Sequence, residues 1–204
     1  LPVRTIPDDS GKVAGNKVAG KQQEVPRVFS TYPIIGLDAS VAKVGFAVLF
    51  GSTIRTSVFR PASTGIERLH EIRAFVQGLL ESTSGLSQNP PAVVVEGYSF
   101  ASKNSRAHAT GEVGGIIRLA VKDARLSMIE VPPTSLKKFI TGVGNSPKTG
   151  MPLGLFKRFG VDLPDEDQAD AASLALFGAS LWGFVSGDIT KVMQEALRGH
   201  ADLL

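Results

Sequence analysis

The sequence predicts a mixed α/β domain: a five-stranded sheet, its first three strands antiparallel, flanked by helices. Three observations carry this. Three apolar runs lie between Tyr32 and Phe59 with only tight turns between them. Strands that close must run antiparallel, because a parallel return needs a long crossover. Two more short apolar runs, at 92–96 and 126–131, each follow an amphipathic segment of helical length. Helical patterns fill the rest of the chain, and 204 residues suit one domain with some additional length.

In chain order, residues 1–30 are rich in Gly, Lys, Gln and Val without periodicity and read as a disordered leader. They lack the apolar core of a secretory signal, and Asp8, Asp9 and Glu24 argue against an organelle transit peptide. Leu1 rather than Met opens the chain, which predicts a start further upstream. Residues 31–182 form the predicted folded domain. Ile34-Ile35-Gly36-Leu37-Asp38 reads as a buried strand ending in an acid. Strands at 44–50 and 53–59 follow, joined at the hairpin signal Gly51-Ser52. Thr64 and Glu67 form a capping box for a helix whose apolar face is Ile66, Leu69, Ile72, Val76, Leu79 and Leu80. After Pro90-Pro91, Ala92-Val93-Val94-Val95-Glu96 is a short strand, again ending in an acid. A second helix spans 105–123, and the fifth strand, 126–131, stops at Pro132-Pro133. Short helices cover 135–141 and 152–159, and a longer one covers 166–182. In the last segment, 183–204, Asp188 caps an amphipathic helix bearing Ile189, Val192, Met193, Ala196 and Leu197. The order βββαβαβ followed by helices is that of a ribonuclease H-like fold.

Composition removes several chemistries. Without cysteine there is no disulfide scaffold, no Cys-ligated zinc or iron–sulfur cluster and no thiol nucleophile. His70, His108 and His200 stand far apart without ligand spacing, so any metal must be held by carboxylates, which favours magnesium or manganese. No apolar run approaches the ~20 residues of a membrane span. The net charge of +3 conceals a sharp division. Residues 103–158 carry ten Lys and Arg against three acids, whereas residues 159–182 carry five acids and no base. Basic segments attract polyanions, and an acidic cluster beside one makes chemical sense when it holds metal. Two solvated faces would produce the same division.

Asp38 and Glu96 each end an apolar strand, where ligands gather in α/β sheets. Asp167 and Asp170, three residues apart on a predicted helix, project from one face among Ala169, Ala171, Ala172 and Ala175. Small side chains there let the helix approach the sheet. Four converging acids repel one another without a counter-cation, and two divalent ions would neutralise them and clamp an in-line phosphoryl displacement. Taken singly, a strand-terminal Asp is also a common turn or cap residue, and two acids near a helix start suit the helix dipole.

Residues 33–182 resemble the RuvC-type Holliday junction resolvases of the ribonuclease H-like superfamily, especially divergent bacteriophage forms. Ile35-Gly36-Leu37-Asp38 followed by Gly45 is similar to the family's first strand and turn. Val95-Glu96-Gly97-Tyr98-Ser99-Phe100 followed by Lys103-Asn104 is similar to its second acidic motif. Pro133-Thr134-Ser135, the run 141–145 and Lys148 resemble its basic loop, and Asp167-Gln168-Ala169-Asp170-Ala171 its terminal acidic motif. Where the family commonly has Asp-Pro-Gly, this chain has Asp38-Ala39-Ser40, and its basic loop is sparser than in cellular members.

The resemblance implies a crossover junction endodeoxyribonuclease acting on four-way and other branched DNA, with no small-molecule substrate and no membrane. It implies Asp38, Glu96, Asp167 and Asp170 as ligands of two magnesium ions, with manganese able to substitute. Lys148 would lie near the scissile phosphate, while Lys103, Lys137, Lys138, Lys157 and Arg158 would track the DNA backbone. Phe100 would wedge against a base step, a role for which Tyr98 competes. Gly111, Gly114 and Gly115 weaken a helix that in the family lies at a homodimer interface, so they read as a dimer seam; close packing on the chain's own sheet is the alternative. The implied location is the cytoplasm of a bacterium or phage-infected host. A less selective ribonuclease H-like nuclease and a non-cleaving junction binder are the alternatives. A sugar-kinase or actin-like ATPase needs two such domains and an adenosine motif, which 204 residues do not supply.

Overall fold

Alternation along the strands divides the interior into two cores, one on each face of the sheet. The structure, a computed structural model, describes residues 20–97, 107–147, 149–187 and 189–200. Its strands are β1 (Lys21–Glu24), β2 (Ser30–Ala39), β3 (Val44–Gly51), β4 (Thr53–Phe59), β5 (Ala92–Glu96) and β6 (Met128–Val131). The helices are α1 (Gly65–Ser84), α2 (Ala107–Asp123), α3 (Pro133–Thr141), α4 (Gly150–Phe159), α5 (Glu166–Leu181) and α6 (Lys191–Arg198). No helix among the described residues is long and apolar enough to cross a membrane.

The sheet runs β1-β4-β3-β2-β5-β6. Strands β2, β3 and β4 are antiparallel, as their tight turns require, with Gly51 at φ +59° making the β3–β4 hairpin. Strand β5 joins β2 in parallel, and β6 joins β5 in parallel. Ile35, Leu37, Val93 and Val95 face the core built with α1 and α2. Ile34 and Val94, one residue out of phase, face the core shared with α3, α4, α5 and α6.

Two expectations are corrected at the amino end. The sheet has six strands rather than five, because Lys21–Glu24 pairs antiparallel with β4. Residues 21–30 are therefore no part of a leader: Val25 and Val28 are buried in the α5-side core. Gln23 also exchanges two hydrogen bonds of 3.0 Å with the backbone of Asp162, donating from Nε2 and accepting at Oε1. The strand escaped detection because its own side chains stay largely exposed, which leaves no apolar alternation to read.

The caps differ too. Thr64 makes no side-chain cap bond to α1, and Gly65 behind it stands at φ +60°. Glu71 instead reaches back to accept from the Ala62 N–H at 2.7 Å, and bonds from Ser63 and Ala62 hold its carboxyl below the usual range. Helix α6 starts later than expected, with the Thr190 hydroxyl accepting from the Met193 N–H, so Ile189 precedes it. Asp188 lies outside the described residues.

Candidate active site

The two strand-end acids lie side by side. Leu37 of β2 is registered with Val95 of β5, so the next residues, Asp38 and Glu96, fall level on adjacent parallel strands about 4.8 Å apart. By alternation both follow Ile34 and Val94 onto the sheet face that α5 covers. Both are half-buried.

Helix α5 brings the other two acids to the same end, and two glycines let it approach. Gly36 lies directly beneath the helix, where a Cβ would stand 2.1 Å from the Ala171 carbonyl oxygen. Gly45 pairs across the sheet with Asp38, and a Cβ there would stand 2.5 Å from the Asp167 carbonyl oxygen. The backbone of Asp167 thus rests against the β3 residue directly opposite Asp38. Asp165 starts the helix by accepting from the Gln168 N–H at 3.0 Å, and the Gln168 side chain in turn accepts from the Thr56 hydroxyl at 2.8 Å. Those two bonds set the rotation of the first turn. Asp170, one turn on, is 8% exposed.

Lys43, just before β3, places its ammonium on the Asp167 carboxylate. Lys43 is not among the residues the sequence singled out. Its signal was the turn it closes: Ser40 donates to the Lys43 carbonyl from both its N–H, at 2.9 Å, and its hydroxyl, at 3.1 Å. Among the described residues, no three His, Cys, Asp or Glu side chains gather into a group that can hold a metal ion. The backbone therefore collects the four acids at one end, while the side chains do not converge as a ligand set, and one of them is engaged by Lys43.

The basic residues fall into three groups. Lys103 and Lys148 lie outside the described residues, as do Tyr98 and Phe100. Lys137 on α3 is half-buried, and Lys157 in the last turn of α4 is exposed. Lys138 and Arg158 have structural partners. Lys138 pairs with Glu195 of α6 at 2.8 Å, which holds the Glu195 carboxyl below its usual range. Arg158 donates to the Ile140 carbonyl at the end of α3, and burial lowers its pKa.

A family model described as crossover junction endodeoxyribonuclease RuvC matches residues 34–177. The RuvC of Brevibacillus brevis is 31% identical over 163 residues, 75% of this chain and 95% of its own length. That of Carboxydothermus hydrogenoformans is 29% identical over 150 residues, 71% of this chain and 94% of its own. In fold, the chain is similar to Thermus thermophilus RuvC, with a TM-score of 0.59 at 23% identity over 76% of this chain and 98% of that one. A second structure of that protein, in complex with Holliday junction substrate, gives a TM-score of 0.58 at 24% identity over 71% of this chain and 91% of that one. The strand order from β2 on, with Asp38, Glu96, Asp167 and Asp170, lies inside a match that begins at Ile34 in β2 and runs on through most of α5. The chain belongs to the RuvC family of crossover junction endodeoxyribonucleases.

Proposed function

We propose that this protein is a structure-selective DNA endonuclease that resolves four-way (Holliday) junctions by paired, divalent-metal-dependent phosphodiester hydrolysis. The observation that carries the reading is the placement of Asp38 and Glu96, level on adjacent strands, with the Asp167 backbone against the β3 residue opposite Asp38. Asp38, Glu96, Asp167 and Asp170 are the proposed metal ligands. Their carboxylate oxygens are hard donors that suit magnesium, with manganese as a substitute. The Lys43 ammonium already stands as a cation on Asp167, which is the charge such a site calls for. Two bound ions would supply an activated water and stabilise the departing oxygen.

The chain's own residues do the positioning. Sheet hydrogen bonds hold Asp38 and Glu96, and the Asp165 cap with the Thr56–Gln168 bond holds the helix that bears Asp167 and Asp170. Lys148, Lys103 and Phe100 keep the roles their motif positions imply: charge beside the scissile phosphate, backbone contact and a wedge at a base step. Of the described cations, Lys137 and Lys157 are the proposed phosphate contacts, since Lys138 and Arg158 serve the packing of α6 and α3.

Two coordinated nicks need two matching sites, and a C2 homodimer presents them to the two-fold related strands of a junction. Among the described residues, a Cβ built on Gly111 or Gly115 of α2 would meet no heavy atom within 4 Å, which supports a role for these two glycines outside packing on the chain's own sheet. Leu119, one turn beyond Gly115, is exposed. This face of α2 is the proposed seam.

Incubation with a synthetic four-way junction, and with linear duplex of the same sequence, should give symmetric paired nicks in the junction alone and only with divalent metal. Equal cutting of the duplex would mean a less selective nuclease, and tight binding without cutting a junction binder. Gly115→Leu should yield a monomer by light scattering with the paired incisions lost; a dimer that still resolves junctions would refute the seam. Lys157→Ala should weaken junction binding alike for all sequences and reduce the slope of log affinity against log salt by about 1. An unchanged slope would remove Lys157 from the interface.

A further inference from the structure

Leu153 and Phe156 of α4 are 55% and 54% exposed, and at a spacing of three they share one face of the helix. Exposed Lys157 adjoins Phe156 on that face. Single exposed apolar side chains are ordinary, but two large ones held side by side form a contact surface. The helix cannot roll to hide them. Met151, Leu155 and Phe159 are buried on its other side. Gly154 lies against α3, where a Cβ would stand 2.8 Å from the Ile140 carbonyl oxygen, the same oxygen that accepts from Arg158.

This face starts from the end of the sheet that carries Glu96. Strand β6 ends at Val131, which is paired with Glu96, and α3 begins two residues later. The loop after α3 folds back to that first turn: a Cβ on Gly144 would stand 3.2 Å from the Thr134 carbonyl oxygen. Helix α4 starts from this loop, with the Gly150 N–H donating to the Pro147 carbonyl at 3.0 Å. Phe156 lies about 9 Å further along the helix. Charge selects the occupant. Residues 131–161 contain five Lys and Arg and no acid. A second copy docked isologously on this face would set Lys157 against its own like. DNA instead offers phosphates to the lysine and apolar base faces to the ring.

We propose that Leu153 and Phe156 form a base-contact surface for branched DNA, with Phe156 lying against an unstacked base while Lys157 takes an adjoining phosphate. This rests on the nuclease reading above. Stacking on an aromatic ring tolerates any base, so the contact adds affinity without reading sequence. Exposing a base face costs least where pairing is interrupted, as at a branch point, so the contact favours junctions over continuous duplex. No counterion is released by the ring, which separates its contribution from that of the lysine.

The test is titration of a four-way junction and a linear duplex, in chelator and at several salt concentrations, with wild type, Phe156→Ala and Phe156→Trp. Phe156→Ala should lose about tenfold in junction affinity, much less on duplex, with the slope of log affinity against log salt unchanged. It should melt within about 2 °C of wild type, since the ring is exposed. Phe156→Trp should keep junction affinity, and its emission should be quenched by the junction beyond any change at Trp182, the chain's own tryptophan. Phe156→Ala binding the junction as tightly as wild type would overturn the contact and leave the nuclease reading standing. An equal loss on junction and duplex would overturn the unstacked base. A wild-type dimer that Phe156→Ala dissociates would make the stripe an interface between copies and overturn the DNA contact. If wild type binds neither DNA, the nuclease reading itself is wrong, and this inference falls with it.

Discussion

Replacing Asp38 with Asn should leave junction affinity within about twofold while lowering the cleavage rate by about three orders of magnitude or more, some 4 kcal/mol of transition-state stabilisation. The size of the effect follows from position. Asp38 is level with Glu96 and opposite Gly45, against which Asp167 rests, so it is the residue common to both halves of the site. Asn keeps the shape and the sheet hydrogen bonds and removes only the charge. Binding is expected to draw on the basic residues instead, as phosphate contacts do. Gel-shift titration beside single-turnover cleavage of the same junction would separate the two quantities. A variant that cuts at the wild-type rate would end the case for the carboxylate site, and one that neither binds nor cuts would show that Asp38 supports the fold.

Gly36→Ala should cost about 3 kcal/mol or more and lower the melting temperature by roughly 6–12 °C. Its Cβ would lie 2.1 Å from the Ala171 oxygen and 2.7 Å from the Ala175 nitrogen, both backbone atoms of α5. A helix backbone cannot turn aside as a side-chain tip can. Retreat is also closed, because α5 is buried from Ala169 to Ser180 between the sheet and helices α3 and α4. Whatever protein still folds should cut poorly, since any shift of α5 carries Asp167 and Asp170 away from the strand ends. Gly78→Ala is the control: this exposed residue in α1 has, among the described residues, nothing within 4 Å of a built Cβ, so the substitution should stabilise by up to about 1 kcal/mol. Equal melting temperatures for the two variants would refute the close approach of helix and sheet.

What periodicity and spacing could reveal was burial. The continuous apolar runs Ile34–Leu37 and Ala92–Val95, the hairpin at Gly51 and the small residues around Asp170 report burial, and these placed β2 to β6 along the chain and singled out the four acids as candidates. Strand β1 escaped because it is held by backbone pairing with β4 and by the Gln23–Asp162 exchange, neither of which leaves a pattern in Lys-Gln-Gln-Glu. The fates of the cations were equally hidden. Lys138 and Arg158 looked like Lys157 in the sequence, yet packing turns the first toward Glu195 and the second toward Ile140, while Lys43 finds Asp167. Each of these pairings joins residues distant in the chain. A charged side chain's partner depends on which segments the folded core brings together, whereas its tendency toward the surface is a local property, and only the latter can be read along a sequence.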